Sequence, residues 1–191
     1  MRKLIIFCIL VVLGLPSISA LTFKSPIKSF VISSELLFRV DPFSNDKGGN
    51  EDSIHRGIDI VPKEIEKNKK ANVAVSATEA GTVFVVYPPP GYVGKSGVKF
   101  KGHPIYGGLV VISHGEGCYS LYGHMKEVWV YEGMKVQQGA SLGLVGSTGK
   151  STGPHLHFEI DFDPWYLLQA NITNARLELL RKDEILRSLS K

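Results

Sequence analysis

Pro154-His155-Leu156-His157-Phe158-Glu159 is the stretch that decides how this chain folds. It is apolar enough for a strand, and successive side chains of a strand point to opposite faces. His155 and His157 then share a face, about 7 Å apart along the backbone. Only six histidines occur in the chain, and imidazole is the commonest metal-binding side chain. Such a pair either sits on a solvated strand face or brings one or two nitrogens to a cation. Working outward, residues 147–153 form a Gly/Ser/Thr turn, and residues 141–146 read as the strand before it. Runs at 73–77, 81–87, 108–114 and 118–124 are short and rich in Val, Ile, Leu and Tyr, and most are separated by Gly or polar pairs. The chain is therefore mainly β.

The chain has 191 residues, enough for one domain with a substantial core, and its 43% hydrophobic and 21% charged residues are ordinary for a globular protein. Arg2 and Lys3, an uncharged apolar run at 4–15 and the small residues Pro16-Ser17-Ile18-Ser19-Ala20 follow the layout of a secretory signal peptide. That run is short for a membrane span, which needs about 20 residues. Residues 1–20 are expected to be removed, with no stable membrane insertion afterwards. Cys8 lies inside the run and is not read as a lipid-attachment site. Loss of Arg2 and Lys3 takes the net charge from +4 to +2, too mild to argue for nucleic acid. The remaining cysteine, Cys118, has no internal disulfide partner and reads as a small buried residue.

Residues 21–35 read as an extended lead-in. Residues 36–40 form an apolar run stopped by Asp41-Pro42. The charged stretch 64–72 reads as a solvated helical turn or a surface loop. Residues 88–106 hold Pro88-Pro89-Pro90-Gly91, which excludes a central strand. Long connections in compact domains are usually functional or mobile, and this one is expected to border the site. Residues 174–189 favour a short C-terminal helix. The expected domains are thus a signal peptide at 1–20, the lead-in, a main domain at 36–165 and a helical tail at 166–191.

His55-Arg56-Gly57-Ile58-Asp59-Ile60 carries the second cluster of donors. His55 and Asp59 are four apart, but Gly57 and the strand-like Ile58-Asp59-Ile60-Val61 favour a loop-to-strand bend over a helix. One nitrogen and one oxygen donor suit zinc, and one histidine of the 155/157 pair brings the count to three. Catalytic zinc usually has three protein ligands, whereas structural sites are closed by four, commonly with several cysteines, and this chain keeps only Cys118 after residues 1–20. Leu121-Tyr122-Gly123-His124-Met125 offers a further histidine, His124. Periodicity does not choose between it and His114, and His103 reads as a surface residue of the Pro/Gly-rich loop.

Taken together these elements resemble the lysostaphin-type zinc endopeptidases, which cut bacterial cell-wall peptide. Phe38-Arg39-Val40-Asp41-Pro42, the His55–Ile60 motif, Tyr122-Gly123-His124-Met125, and Gly146-Ser147-Thr148-Gly149 through Glu159 match in order, over about residues 36–160. The resemblance implies a small, mainly antiparallel β-sheet with a groove along one face and loops around it. It implies that His55, Asp59 and His157 hold one Zn2+ while His124 and His155 stand beside it as catalytic residues, and it prefers His124 to His114. It further implies a peptidoglycan peptide as substrate and a place in the periplasm or cell envelope. The charged stretch after the first motif and the long loop at 87–107 depart from the family pattern and bear on substrate preference.

Three other readings are weaker. Gly146-Ser147-Thr148-Gly149-Lys150-Ser151 resembles a phosphate loop, but Leu144 stands where the pattern needs glycine, and Gly153-Pro154 follows where a helix should. The Gly-bracketed piece at 132–139 is similar to turns of lipoyl- and biotin-carrier domains, a likeness of small β units. The serious alternative is a catalytically silent wall-binding module that activates other cell-wall hydrolases. That class predicts gaps at the metal positions, and here all five positions are filled.

Overall fold

Leu156, Phe158 and Ile160 are fully buried, and so, on the opposite face of the same strand, are the polar His157, Glu159 and Asp161. A strand covered on both sides belongs in the middle of a sheet. The computed structural model describes residues 22–38, 54–162 and Leu189. The expected signal peptide, residues 39–40 of the apolar run, and the helical tail apart from Leu189 lie outside the described residues.

In chain order the elements are β1 (Phe30–Ser34), β2 (Leu37–Phe38), β3 (Ile54–His55), β4 (Ile58–Pro62), α1 (Lys63–Lys67), β5 (Ala74–Ser76), β6 (Gly81–Tyr87), β7 (Gly108–Gly115), β8 (Cys118–Met125), β9 (Glu127–Val128), β10 (Lys135–Val136), β11 (Ser141–Leu144) and β12 (Leu156–Asp161). The fold is mainly β, as the runs of Val, Ile and Leu predict. A seven-stranded sheet has the order β1-β4-β12-β8-β7-β6-β10, a three-stranded sheet the order β5-β11-β9, and β2 pairs with β3. Every pairing is antiparallel. Among the described residues no helix is long and apolar enough to cross a membrane.

One hydrophobic cluster joins the two larger sheets. Ile58 and Ile60 of β4, Val110 and Ile112 of β7, Tyr122 of β8 and the apolar face of β12 meet Val75 of β5 and Leu142 of β11. Each such side chain contributes roughly 1.5–3 kcal/mol by leaving water. The Tyr122 hydroxyl accepts the Thr78 N–H at 2.8 Å and the Ser120 hydroxyl at 2.9 Å, so the one polar atom of that ring is satisfied. Cys118 is buried, as its apolar run predicts.

Two segments differ in emphasis from the sequence reading. The lead-in contains an edge strand, β1, with Val31 opposite Val61 and Ile32 opposite Ile60. Its half-exposed alternation is a weak signal, because an edge strand buries little and Ser33-Ser34 closes it. In the charged stretch, α1 is a single turn of helix pinned by buried Ile65.

Register is what positions the site. His157 lies directly opposite Asp59 on β4 and opposite Gly123 on β8. Directly opposed residues have Cβ atoms about 4.5–5.5 Å apart, so three neighbouring strands bring these positions together on one face. The bend at Arg56-Gly57 then returns His55 to the same place. A Cβ on Gly57 would sit 2.2 Å from the Phe158 carbonyl oxygen and 2.7 Å from Glu159 Cγ, so only glycine lets the bend approach β12.

Candidate metal centre

His55, Asp59 and His157 are buried, and one donor atom from each meets the other two. His55 Nε2 lies 3.1 Å from Asp59 Oδ1 and 3.2 Å from His157 Nδ1, and His157 Nδ1 lies 2.9 Å from Asp59 Oδ1. His155 approaches the same carboxylate oxygen with Nε2 at 3.5 Å. The His124 ring centroid is 4.7 Å from that of His155 and 5.8 Å from that of His157. All five residues singled out in the sequence therefore gather at one point.

Hydrogen bonds on the outer side of each ring fix what it presents inward. His55 Nδ1 donates to the Glu35 carbonyl at 2.7 Å, His124 Nδ1 to the Thr148 carbonyl at 2.8 Å, and His155 Nδ1 to the Gly153 carbonyl at 2.8 Å. His157 Nε2 donates to Glu159 Oε1 at 2.8 Å. A carbonyl or carboxylate oxygen can only accept, so each of these nitrogens carries the proton. When His55 and His157 are neutral, their inward nitrogens are bare lone pairs, and Asp59 Oδ1 adds a third acceptor. Three acceptors at about van der Waals contact need a cation between them. Tetrahedral zinc with bonds near 2.0–2.1 Å would separate its donors by about 3.4 Å, close to the spacing found. The donor set, two nitrogens and a carboxylate with each imidazole oriented by an outer partner, suits that ion.

The electrostatics carry the same demand. Burial acts to raise the Asp59 carboxyl, but the His155, His157 and His55 rings, which can donate to it when an inward nitrogen carries a proton, outweigh burial and hold the group well below the usual carboxylate range. Burial acts to lower His157, but Asp59 and Glu159 raise it to about 9. A proton on Nδ1 then takes the cation's place, though it can bridge only some of the three contacts. His124 is lowered to about 4, by burial first and then by His155 and His157, so its ring is neutral at pH 7.

His124 reaches this face by an unusual backbone. Strict alternation would send it to the side opposite Gly123. Its φ of 62° breaks the alternation at the end of β8, and the backbone is held there by a 2.7 Å bond from His124 N–H to the Tyr106 carbonyl. His114 lies elsewhere, with Nδ1 on the Ala80 carbonyl and Nε2 on the Ser120 hydroxyl. His103 is half-buried, where a surface position was expected, and its Nδ1 accepts the N–H groups of Ile105 and Tyr106.

Three supporting residues escaped the sequence reading. Glu159, fully buried, accepts from His157 and from the Tyr106 hydroxyl at 2.7 Å on the same oxygen. It stands two residues beyond His157 on one strand face, so period-two spacing could have found it. Tyr106 ends the long loop and lies with its ring centroid 5.4 Å from that of His157, so this loop does border the site. Thr148 holds His124 by its carbonyl, and its hydroxyl bridges Met125 O and Gly108 N. Neither of these two carries a sequence signal, since each acts from a loop. Gly107 (φ 63°) packs against that threonine, where a Cβ would meet its Oγ1 at 2.2 Å.

An antiparallel β domain thus gathers a buried His/Asp/His cluster and two further imidazoles at one place. Residues 53–167 match the model of Peptidase family M23, and the chain belongs to that family. It is 42% identical over 104 residues to the peptidoglycan DD-endopeptidase ShyA of Vibrio cholerae, covering 52% of this chain and 24% of that protein. It is 48% identical over 63 residues to the DD-carboxypeptidase/endopeptidase Mpg of Neisseria meningitidis, covering 32% of this chain and 14% of that one. The matches thus span a quarter or less of these relatives. A zinc-containing peptidase from Vibrio cholerae superposes with a TM-score of 0.53 and 28% identity, over 73% of this chain and 36% of that one.

Proposed function

We propose that this chain is an exported, zinc-dependent endopeptidase that hydrolyses amide bonds in peptidoglycan peptides within the periplasm or cell envelope. The observation that carries the reading is the meeting of three inward acceptors on His55, Asp59 and His157 beside two anchored imidazoles. In this reading those three residues hold one zinc ion. A zinc ion held by these three residues would supply an acidified water, with a pKa of about 7, and polarisation of the scissile carbonyl. His124, neutral and tied through Nδ1–H to Thr148, offers its Nε2 lone pair to a proton. His155, tied through Nδ1–H to Gly153, has its Nε2 turned towards Asp59 and can carry a proton to the leaving amine or donate to the developing oxyanion. The two can also exchange these tasks, because both face the same corner. A silent wall-binding module is the weaker alternative, since such a module has no use for five filled positions.

The test is digestion of purified peptidoglycan followed by mass spectrometry. The expected result is conversion of cross-linked peptides to uncross-linked ones, stopped by a chelator and restored by zinc. Unchanged peptides after incubation with protein carrying one equivalent of zinc would favour the silent module.

Metal affinity should also depend on pH. His157 is raised to about 9, so in the metal-free protein its Nδ1 is protonated at pH 7 and zinc must displace that proton. Raising the pH removes the competitor, so apparent affinity should climb about tenfold per pH unit up to roughly pH 9. The stability that protonated His157 gives the metal-free fold has the opposite sense. It is complete below the ordinary histidine pKa of about 6.5 and is lost as pH rises through about 9. Chelator competition at pH 6.5, 7.5 and 8.5 measures the slope, and a flat profile would contradict the assignment of Nδ1 as a ligand.

A further inference from the structure

The segment between β6 and β7 does more than border the site. Within it residues 91–100 form a hairpin. Gly91 N–H bonds to Phe100 O at 2.9 Å, Phe100 N–H to Tyr92 O at 2.8 Å and Gly94 N–H to Val98 O at 2.9 Å, with Val93 paired to Lys99. The hairpin turns its apolar side chains outward. Tyr92 is 51% exposed, Val93 57%, Val98 57% and Phe100 38%, and the two aromatic rings lie 5.9 Å apart. Lys95, Lys99 and Lys101 are exposed among them, and residues 88–107 contain no Asp or Glu. Contiguous exposed apolar surface of this kind marks a binding surface.

The root of the hairpin is built into the wall of the metal centre. His103 and Gly107 exchange backbone bonds of 2.7 and 2.8 Å, and Lys150 N–H holds Ile105 O at 2.7 Å. A line of rings runs Tyr87, His103, Tyr106, His157, with centroids 5.1, 5.0 and 5.4 Å apart. The same segment thus carries the exposed hairpin at 91–100 and, six residues on, the Tyr106 ring against His157.

Charge selects this patch over the exposed aromatics between β9 and β10. Trp129 and Tyr131 are as exposed, but Glu127 bonds the Trp129 indole and Glu132 stands next to Tyr131, so an anion is repelled there. The hairpin combines aromatic faces with three cations. That combination fits a polymer with pyranose rings, whose C–H faces stack on aromatic rings, and with peptide carboxylates between them. We propose that hairpin 91–100, with the adjoining Lys101, is an exosite for the peptidoglycan strand, gripping sugar and stem-peptide units next to the one being cut. This deepens the proposed function and rests on its choice of substrate.

The experiment compares the holoenzyme with two variants, K95E/K99E/K101E and Y92S/F100S, whose altered side chains are exposed and leave the fold alone. Sedimentation with purified sacculi at 4 °C, for a time too short for solubilisation, measures binding. Hydrolysis of a soluble cross-linked peptide dimer measures the chemistry. Both variants should bind sacculi at least tenfold more weakly. They should lose kcat/KM on sacculi through KM, and cleave the soluble dimer as the parent does. The parent's binding should weaken steeply with salt and the lysine variant's should not. Unchanged sacculus binding in both variants would overturn the exosite. So would a loss of binding seen only on vesicles of phosphatidylglycerol, which would make the hairpin a membrane contact. If the parent cleaves neither substrate while its binding to sacculi still needs the hairpin, the exosite stands and the peptidase reading fails.

Discussion

Replacing His157 with alanine should strip zinc from the purified protein and abolish the proposed peptide hydrolysis. The substitution deletes one of three acceptors and leaves His55 Nε2 and Asp59 Oδ1 with no third donor. It also takes the Nε2–H donor away from Glu159, a carboxylate with no exposure to water. Loss of an outer partner alone typically costs 10–100-fold in metal affinity, so loss of the ligand itself should exceed roughly 100-fold. Glu159→Gln marks the lower bound. Its amide oxygen can still accept from His157 and Tyr106, while the charge is lost and the second oxygen gives way to an N–H donor. Elemental analysis after dialysis, with circular dichroism to check folding, reads the effect. Stoichiometric zinc in a folded His157→Ala protein would remove this residue from the ligand set.

The second large effect separates holding the metal from using it. His124→Ala should keep zinc at one equivalent and lower kcat by about 10²- to 10⁴-fold, the usual contribution of a positioned proton-transfer group. His124 makes none of the three close contacts among His55, Asp59 and His157, and its own anchors are Thr148 and Tyr106. His155→Ala should behave alike, with a weaker hold on metal because its Nε2 lies near the Asp59 carboxylate. Zinc content and turnover measured on the same preparation decide the matter. Full hydrolysis by zinc-loaded His124→Ala would contradict the role proposed for it.

Much of the fold was legible because strands advertise themselves as short runs rich in Val, Ile, Leu and Tyr between turn residues. The runs at 81–87, 108–114 and 118–124 became β6, β7 and β8 with little change. The edge strand β1 was harder to see, since its side chains are only half covered. The site was legible only in pieces. His55 and His157 stand 102 residues apart, and no spacing rule gives the register that sets His157 opposite Asp59. Only the family resemblance joins the two motifs along the sequence. His124 was hidden for a different reason: a positive φ turns it against the alternation of its own strand, so no periodic argument prefers it to His114. Tyr106 and Thr148 act from loops through a hydroxyl and a carbonyl, and contacts of that kind leave no pattern along the chain.

The central claim is that His55, Asp59 and His157 converge on a single divalent ion. A crystal structure of the zinc-loaded protein, with anomalous data collected on both sides of the zinc edge, tests it most directly. One peak should appear about 2.0–2.2 Å from His55 Nε2, an Asp59 oxygen and His157 Nδ1, with the His124 and His155 rings beside it and not bonded to it. A peak bound to other residues, or ligand side chains turned away from one another around no peak at all, would contradict it.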